Sequence, residues 1–139
     1  MLRGRVIAES LRADADIRMA DLRLVRLGRH EVSVSTLPPD ERAGGQGLHG
    51  AVSGQPPTWT FIDFEGPDRL ADDLAQALAD ALEPDLGWWA DFTVDDADRV
   101  IVFAGRYFRY RIGDEAGRAE AVAWGRAAGT PEHQLDWGR

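Results

Sequence analysis

Two periodicities divide this chain: an alternation of apolar and polar residues with period two, and a leucine repeat with period four. From Arg3 to Leu11, apolar Val6 and Ile7 stand among polar Arg3, Arg5 and Glu9, which reads as a first strand. Asp14 and Asp16 then supply turn chemistry. From Asp21 to Leu27, Leu22 and Leu24 alternate with Arg23, a second, half-buried strand. Glu31 to Ser35 extends it or adds a short strand of its own. Thr58-Trp-Thr-Phe-Ile-Asp-Phe-Glu65 is the clearest strand, rich in aromatic and branched residues, with Trp59 and Phe61 on one face.

The leucine repeat follows. Gly66-Pro67 places proline in a first helical turn, and Leu70, Leu74, Leu78 and Leu82 recur with Ala71, Ala77 and Ala81 beside them. This predicts an amphipathic helix over about 67–83 that Pro84 ends, its leucines packed on a sheet. A second helix is expected from a cap at Asp114 to about Ala128, with Ala116, Ala119, Val122 and Ala123 as its apolar side. Gly129 stops it, and the tail Pro131 to Trp137 carries Leu135 and Trp137, residues that favour a docked end.

Between the helices lie three short runs: Trp88-Trp-Ala-Asp-Phe92, Arg99-Val-Ile-Val-Phe103 and Arg106-Tyr-Phe-Arg-Tyr-Arg-Ile112. Reading Gly105-Arg106 as a two-residue turn pairs Phe103 with Phe108, Ile101 with Tyr110 and Val102 with Arg109. Reading Asp95-Asp-Ala-Asp98 as the other turn pairs Val94 with Arg99, Phe92 with Ile101 and Asp91 with Val102. Alternation then gives a core face of Trp88, Phe92, Ile101, Phe103, Phe108 and Tyr110. The opposite face would collect Trp89, Asp91, Val100, Val102, Tyr107, Arg109 and Arg111. Guanidinium groups grip carboxylate and phosphate and stack on aromatic rings, so Arg109, Arg111, Tyr107, Trp89 and Asp91 form the candidate ligand-binding set. Arg118 and Arg126 could face the same way. The competing reading of that face is a dimer-forming or solvated surface in which Asp91 pairs with Arg109.

Composition narrows the field. The 139 residues suit one domain, and no cysteine is present, so disulfides and thiolate metal sites are out. Net charge is −8, which opposes binding to nucleic acid or anionic membranes, and every base is arginine. No apolar run approaches the length of a membrane span, and the first residues lack a signal-peptide core, so a cytoplasmic protein is expected.

Other chemistry is thin. Asp95, Asp96 and Asp98 only superficially resemble a calcium loop, because the sixth and twelfth positions from Asp96 hold Ile101 and Tyr107. His30, His49 and His133 stand far apart, and neither a metal site nor a cofactor is expected. Ser53 is one position off a nucleophile elbow. The glycine- and proline-rich stretch 37–57 lacks periodicity and reads as a loop, either disordered or a lid.

The blocks Phe103-Ala-Gly-Arg-Tyr-Phe-Arg-Tyr110, Gly117-Arg-Ala-Glu-Ala121 and Pro131-Glu-His-Gln-Leu-Asp-Trp137, with Pro56-Pro-Thr-Trp59, cover under half the chain. They resemble a family of small, uncharacterised bacterial proteins, a resemblance that implies no catalytic residues.

The expected architecture is a single α+β domain over 1–139. A mainly antiparallel sheet of five to seven strands carries two helices, in the order β-β-(β)-loop-β-α-β-β-β-α. The first functional expectation is a non-enzymatic interaction or adaptor protein, pairing with itself or another protein. The alternative is a binder of a small anion through an Arg/aromatic sheet face, and a weaker one is an immunity- or antitoxin-like protein for a basic partner. An enzyme using Asp91 or Tyr107 to carry a proton would require a pocket and a shifted carboxylate.

Overall fold

The structure, a computed structural model, describes residues 1–32 and 55–137. Residues 37–54 of the expected loop, with His49 and Ser53, lie outside the described residues, as do positions 33–35 of the expected strand extension.

Six strands form one antiparallel sheet: β1 (Leu2–Ile7), β2 (Arg23–Glu31), β3 (Thr58–Gly66), β4 (Trp89–Val94), β5 (Asp98–Phe103) and β6 (Arg106–Arg111), in the spatial order β2-β3-β1-β4-β5-β6. Helix α1 (Ala71–Ala81) follows β3, and α2 (Glu115–Ala127) follows β6. The α+β architecture and its element order therefore stand. The chain's first strand lies in the middle of the sheet, paired with β3 on one side and β4 on the other.

The two helices cover opposite faces. Leu70, Leu74, Leu78 and Leu82 are all at most 7% exposed and pack on Leu2, Val6, Phe64, Phe92, Val100 and Val102. A buried leucine contributes roughly 1.5–3 kcal/mol, so each member of this stripe is a sizeable part of the core. The regular helix is shorter than expected, because residues 68–70 form a tight turn ahead of it.

On the other face α2 and the tail enclose Ile101, Phe103 and Tyr110 with Leu135 and Trp137. Asp114 caps α2 by accepting from the Gly117 amide at 3.2 Å. Its buried side is not the expected alanine stripe, however: Ala116, Ala119 and Ala123 are exposed, while Ala121 and Gly125 are buried. The reason is closeness. A Cβ on Gly117 would stand 2.6 Å from Tyr110 Cβ, and one on Gly125 would stand 2.8 Å from Leu135 Cδ2, so only glycine lets the helix approach this far.

Both predicted hairpin registers are corrected. The β5–β6 turn is Ala104-Gly105, with Gly105 at φ +78° and Phe103 opposite Arg106, a shift of two that leaves every β6 side chain on its expected face. The β4–β5 connection spans three residues, not four. Asp95 and Asp96 both take left-handed conformations, at φ 52° and 53°, and Val94 lies opposite Asp98. A one-residue slip moves a strand's side chains to the other face. Phe92 therefore joins Val100 and Val102 under α1, and Trp89 and Asp91 turn to the α2 side.

Candidate ligand-binding face

The slip separates the five residues that the sequence grouped. Tyr107, Arg109 and Arg111 lie on the α1 face at the outer strand. There Asp98 accepts from Arg109 Nε at 3.0 Å and pairs with Arg111 at 3.2 Å, while Asp72 of α1 lies 3.5 Å from Arg109. Tyr107 packs against the α1 core. Asp91 and Trp89 lie on the opposite face, and Asp91 pairs with Arg99 at 2.9 Å rather than with Arg109. Arg118 and Arg126, on α2, are engaged by Asp136 and Glu132 and belong to that opposite face too.

What the structure does bring together is a row of charges across the part of the α2-side face that α2 leaves open. Arg26 of β2, Asp63 of β3, Arg5 of β1 and Asp91 of β4 stand side by side in register. Arg5 holds Asp63 in a two-pronged pair, Nε to Oδ1 at 2.6 Å and Nη2 to Oδ2 at 3.1 Å, and Arg26 approaches the same carboxylate at 3.9 Å. A second row runs Arg23, Glu65, Arg3, Thr93, Arg99 and Tyr110. Arg23 takes Glu65 at 3.0 Å, and Arg3 enters no ion pair among the described residues.

Two hollows open on this face. A trough of about 410 Å³ is lined by Arg3, Arg5, Asp63, Glu65, Asp91 and Thr93. Beside it a slot of about 200 Å³ is walled by Trp59, Phe61, Trp88, Trp89 and Ile7, with Gln134 at its rim. Arg5 and Asp91 line both. The Arg5 guanidinium lies 4.3 Å from the centre of the Phe61 ring, on which His30 also stacks at 4.5 Å. Trp59 leans on Trp88 with ring centres 5.6 Å apart, and Trp89 Nε1 donates to Gln134 Oε1 at 3.4 Å.

The two carboxyls flanking Arg5 are pushed in opposite directions. The paired Arg5 guanidinium holds Asp63 below the usual carboxylate range. Burial pushes Asp91 up, against the pull of Arg99 and Arg5. Asp91 is still 31% exposed, so its charge is poorly solvated yet within reach from the hollows. Among the described residues, Arg99 Nε, Tyr110 Oη and Trp59 Nε1 are buried without a hydrogen-bond partner. Such groups cost stability and concentrate at sites shaped for something other than stability. Among the described residues no cluster of three or more His, Asp or Glu side chains could hold a metal.

Sequence reading missed Arg3, Arg5, Arg23, Arg26, Asp63 and Glu65 as site residues. The signal was present in Arg3-Gly-Arg5 and Asp63-Phe-Glu65, each putting two like charges on one strand face. Only the non-local pairing of β1 with β3 makes them neighbours.

Comparison with models of known families, with curated proteins and with solved structures finds no match to the chain, so none speaks to its C-terminal blocks.

Proposed function

We propose that this protein binds a small organic anion on the open half of its α2-side sheet face. The observation that carries this reading is a local reversal of charge. Arg3, Arg5, Arg23, Arg26 and Arg99 face Asp63, Glu65 and Asp91, five bases against three acids, on a chain whose net charge is −8. At physiological ionic strength charges are screened over about 8 Å, so a ligand in the trough feels this patch more than the distant acids. A long polyanion would also meet the acidic surround, which favours a small ligand over nucleic acid. Arg3 is the natural anchor, because binding it breaks no ion pair among the described residues.

The test is a thermal-shift titration with inorganic phosphate and small carboxylates. A ligand at 100 times its dissociation constant adds about 2.7 kcal/mol of stability. The expected result is a saturable shift in wild type that is lost in Arg3→Ala/Arg26→Ala and kept in Arg109→Ala/Arg111→Ala. Loss only in the second variant, or no shift at all, overturns the reading.

A second reading, self-association, is favoured by the outer edge of β2. Its Leu24 and Leu27 are 70% and 74% exposed beside an apolar groove lined by Ile17, Leu22, Ile62 and Leu74. Pairing two β2 edges would bring both leucine patches onto the same side of a continuous sheet. Four leucines at roughly 1.5–3 kcal/mol each only match the 4–15 kcal/mol that association costs, so this dimer is weak. Light scattering across a concentration series should show dimer formation that Leu24→Ser/Leu27→Ser removes; a wild type that stays monomeric at the highest concentration rejects it.

A further inference from the structure

We infer that the bound anion carries a flat ring, and that the ring enters the aromatic slot while its charged group lies in the trough. This rests on the anion-binding reading above and names the class of ligand that the same face would take.

The slot and the trough differ in kind. Four aromatic side chains, Trp59, Phe61, Trp88 and Trp89, with Ile7, wall the slot, whereas the trough is lined chiefly by charged side chains. An anion alone has no use for the slot, since an inorganic ion entering it would lose hydration to apolar walls. A neutral ring alone leaves the arginine excess unused. The slot's size suits one ring system: about 200 Å³ is room for on the order of seven waters at liquid density. Its rings offer edges and faces on which an aromatic body packs in offset or edge-on fashion.

Arg5 and Asp91 form the wall common to both hollows, which sets how the two parts of the ligand must be joined. Arg5 is held from two directions, by the Asp63 carboxylate through Nε and Nη2 and by the Phe61 ring beneath it. Its Nη1 is outside the pair with Asp63. A group leaving the slot meets this fixed guanidinium first and Arg3 beyond it along β1. The charged group therefore belongs directly on the ring or one or two bonds away, as in an aryl phosphate or aryl carboxylate.

Calorimetric titration with phenyl phosphate, inorganic phosphate and phenol tests this. Phenyl phosphate should bind at least about tenfold more tightly than either fragment, a difference of about 1.4 kcal/mol. Trp59→Leu should erase that advantage while leaving affinity for inorganic phosphate unchanged. Because a tryptophan replacement in this wall can disturb folding, wild-type NMR supplies a readout that needs no variant. Nuclear Overhauser contacts should link the phenyl protons to the indole protons of Trp59 or Trp89. Equal affinity for phenyl phosphate and inorganic phosphate overturns the ring subsite and leaves the anion site standing. Phenol binding as tightly as phenyl phosphate overturns the joint ligand in favour of a neutral ring. No binding by any of the three rejects both the ring subsite and the anion site beneath it.

Discussion

Asp63 and Asp91 lie on either side of Arg5, yet their environments oppose each other, and the difference is open to measurement. Asp91 has its carboxyl raised above the unfolded value of about 3.9, so the native state keeps a proton that the unfolded chain has already released. Its contribution to stability is present at acid pH and is lost as pH rises through its folded value. Asp63 is lowered, so its contribution is present above about pH 4 and is lost as pH falls through its own folded value. Denaturant unfolding from about pH 3 to 7 should show wild type losing ground to Asp91→Asn as pH rises from about 4, and gaining ground on Asp63→Asn as pH rises through the acid range. Pairwise differences that stay flat across the range would reject the assignment. At this scale the pairing was not legible: one reading of the sequence set Asp91 against Arg109, whereas the β4 register sets it beside Arg99.

Among the elements, legibility followed side-chain size. The leucine stripe of α1 announced its buried face because four large apolar residues recur at one spacing and all four are buried. Helix α2 hid its buried face because that face is made of Gly117, Ala121 and Gly125, residues that carry no hydrophobic signal. Gly117→Ala makes the distinction experimental. Alanine favours an isolated helix over glycine by roughly 1 kcal/mol. Here its Cβ would meet Tyr110 Cβ at 2.6 Å, and overpacking of that kind costs about 1–3 kcal/mol. Thermal unfolding should show a net loss of stability in Gly117→Ala; a gain would mean that α2 sits further from β6 than the structure places it. Strands were legible as segments but not in register. A turn of two consecutive left-handed aspartates, Asp95 and Asp96, shortened one connection by a single residue and exchanged the faces of β4.

For the molecule as a whole, the alternation patterns were sufficient for an antiparallel α+β sheet with two helices, because each element's periodicity is local. Strand order was not legible, since nothing within Leu2–Ile7 states that its neighbours are Thr58–Gly66 and Trp89–Val94. The open charged face follows from that order: β1 and β4 bring Arg3, Arg5 and Asp91 beside Asp63 and Glu65 of β3. The arginine excess is thus a property of the assembled sheet and of no single segment.

The central position of β1 also governs how the chain reaches this state in time. Of these six strands β1 comes first in the chain and has partners on both sides, and β4 emerges only after β2, β3 and α1. Until then Leu2 and Val6, which end fully or nearly buried, have no closed sheet to enter. Closing long loops before any contact rewards them places such a topology among the slower folders, in milliseconds to seconds. During synthesis the edge of β1 that β4 later covers is therefore left unpaired, a strand edge open to capture by chaperones or by a neighbouring chain.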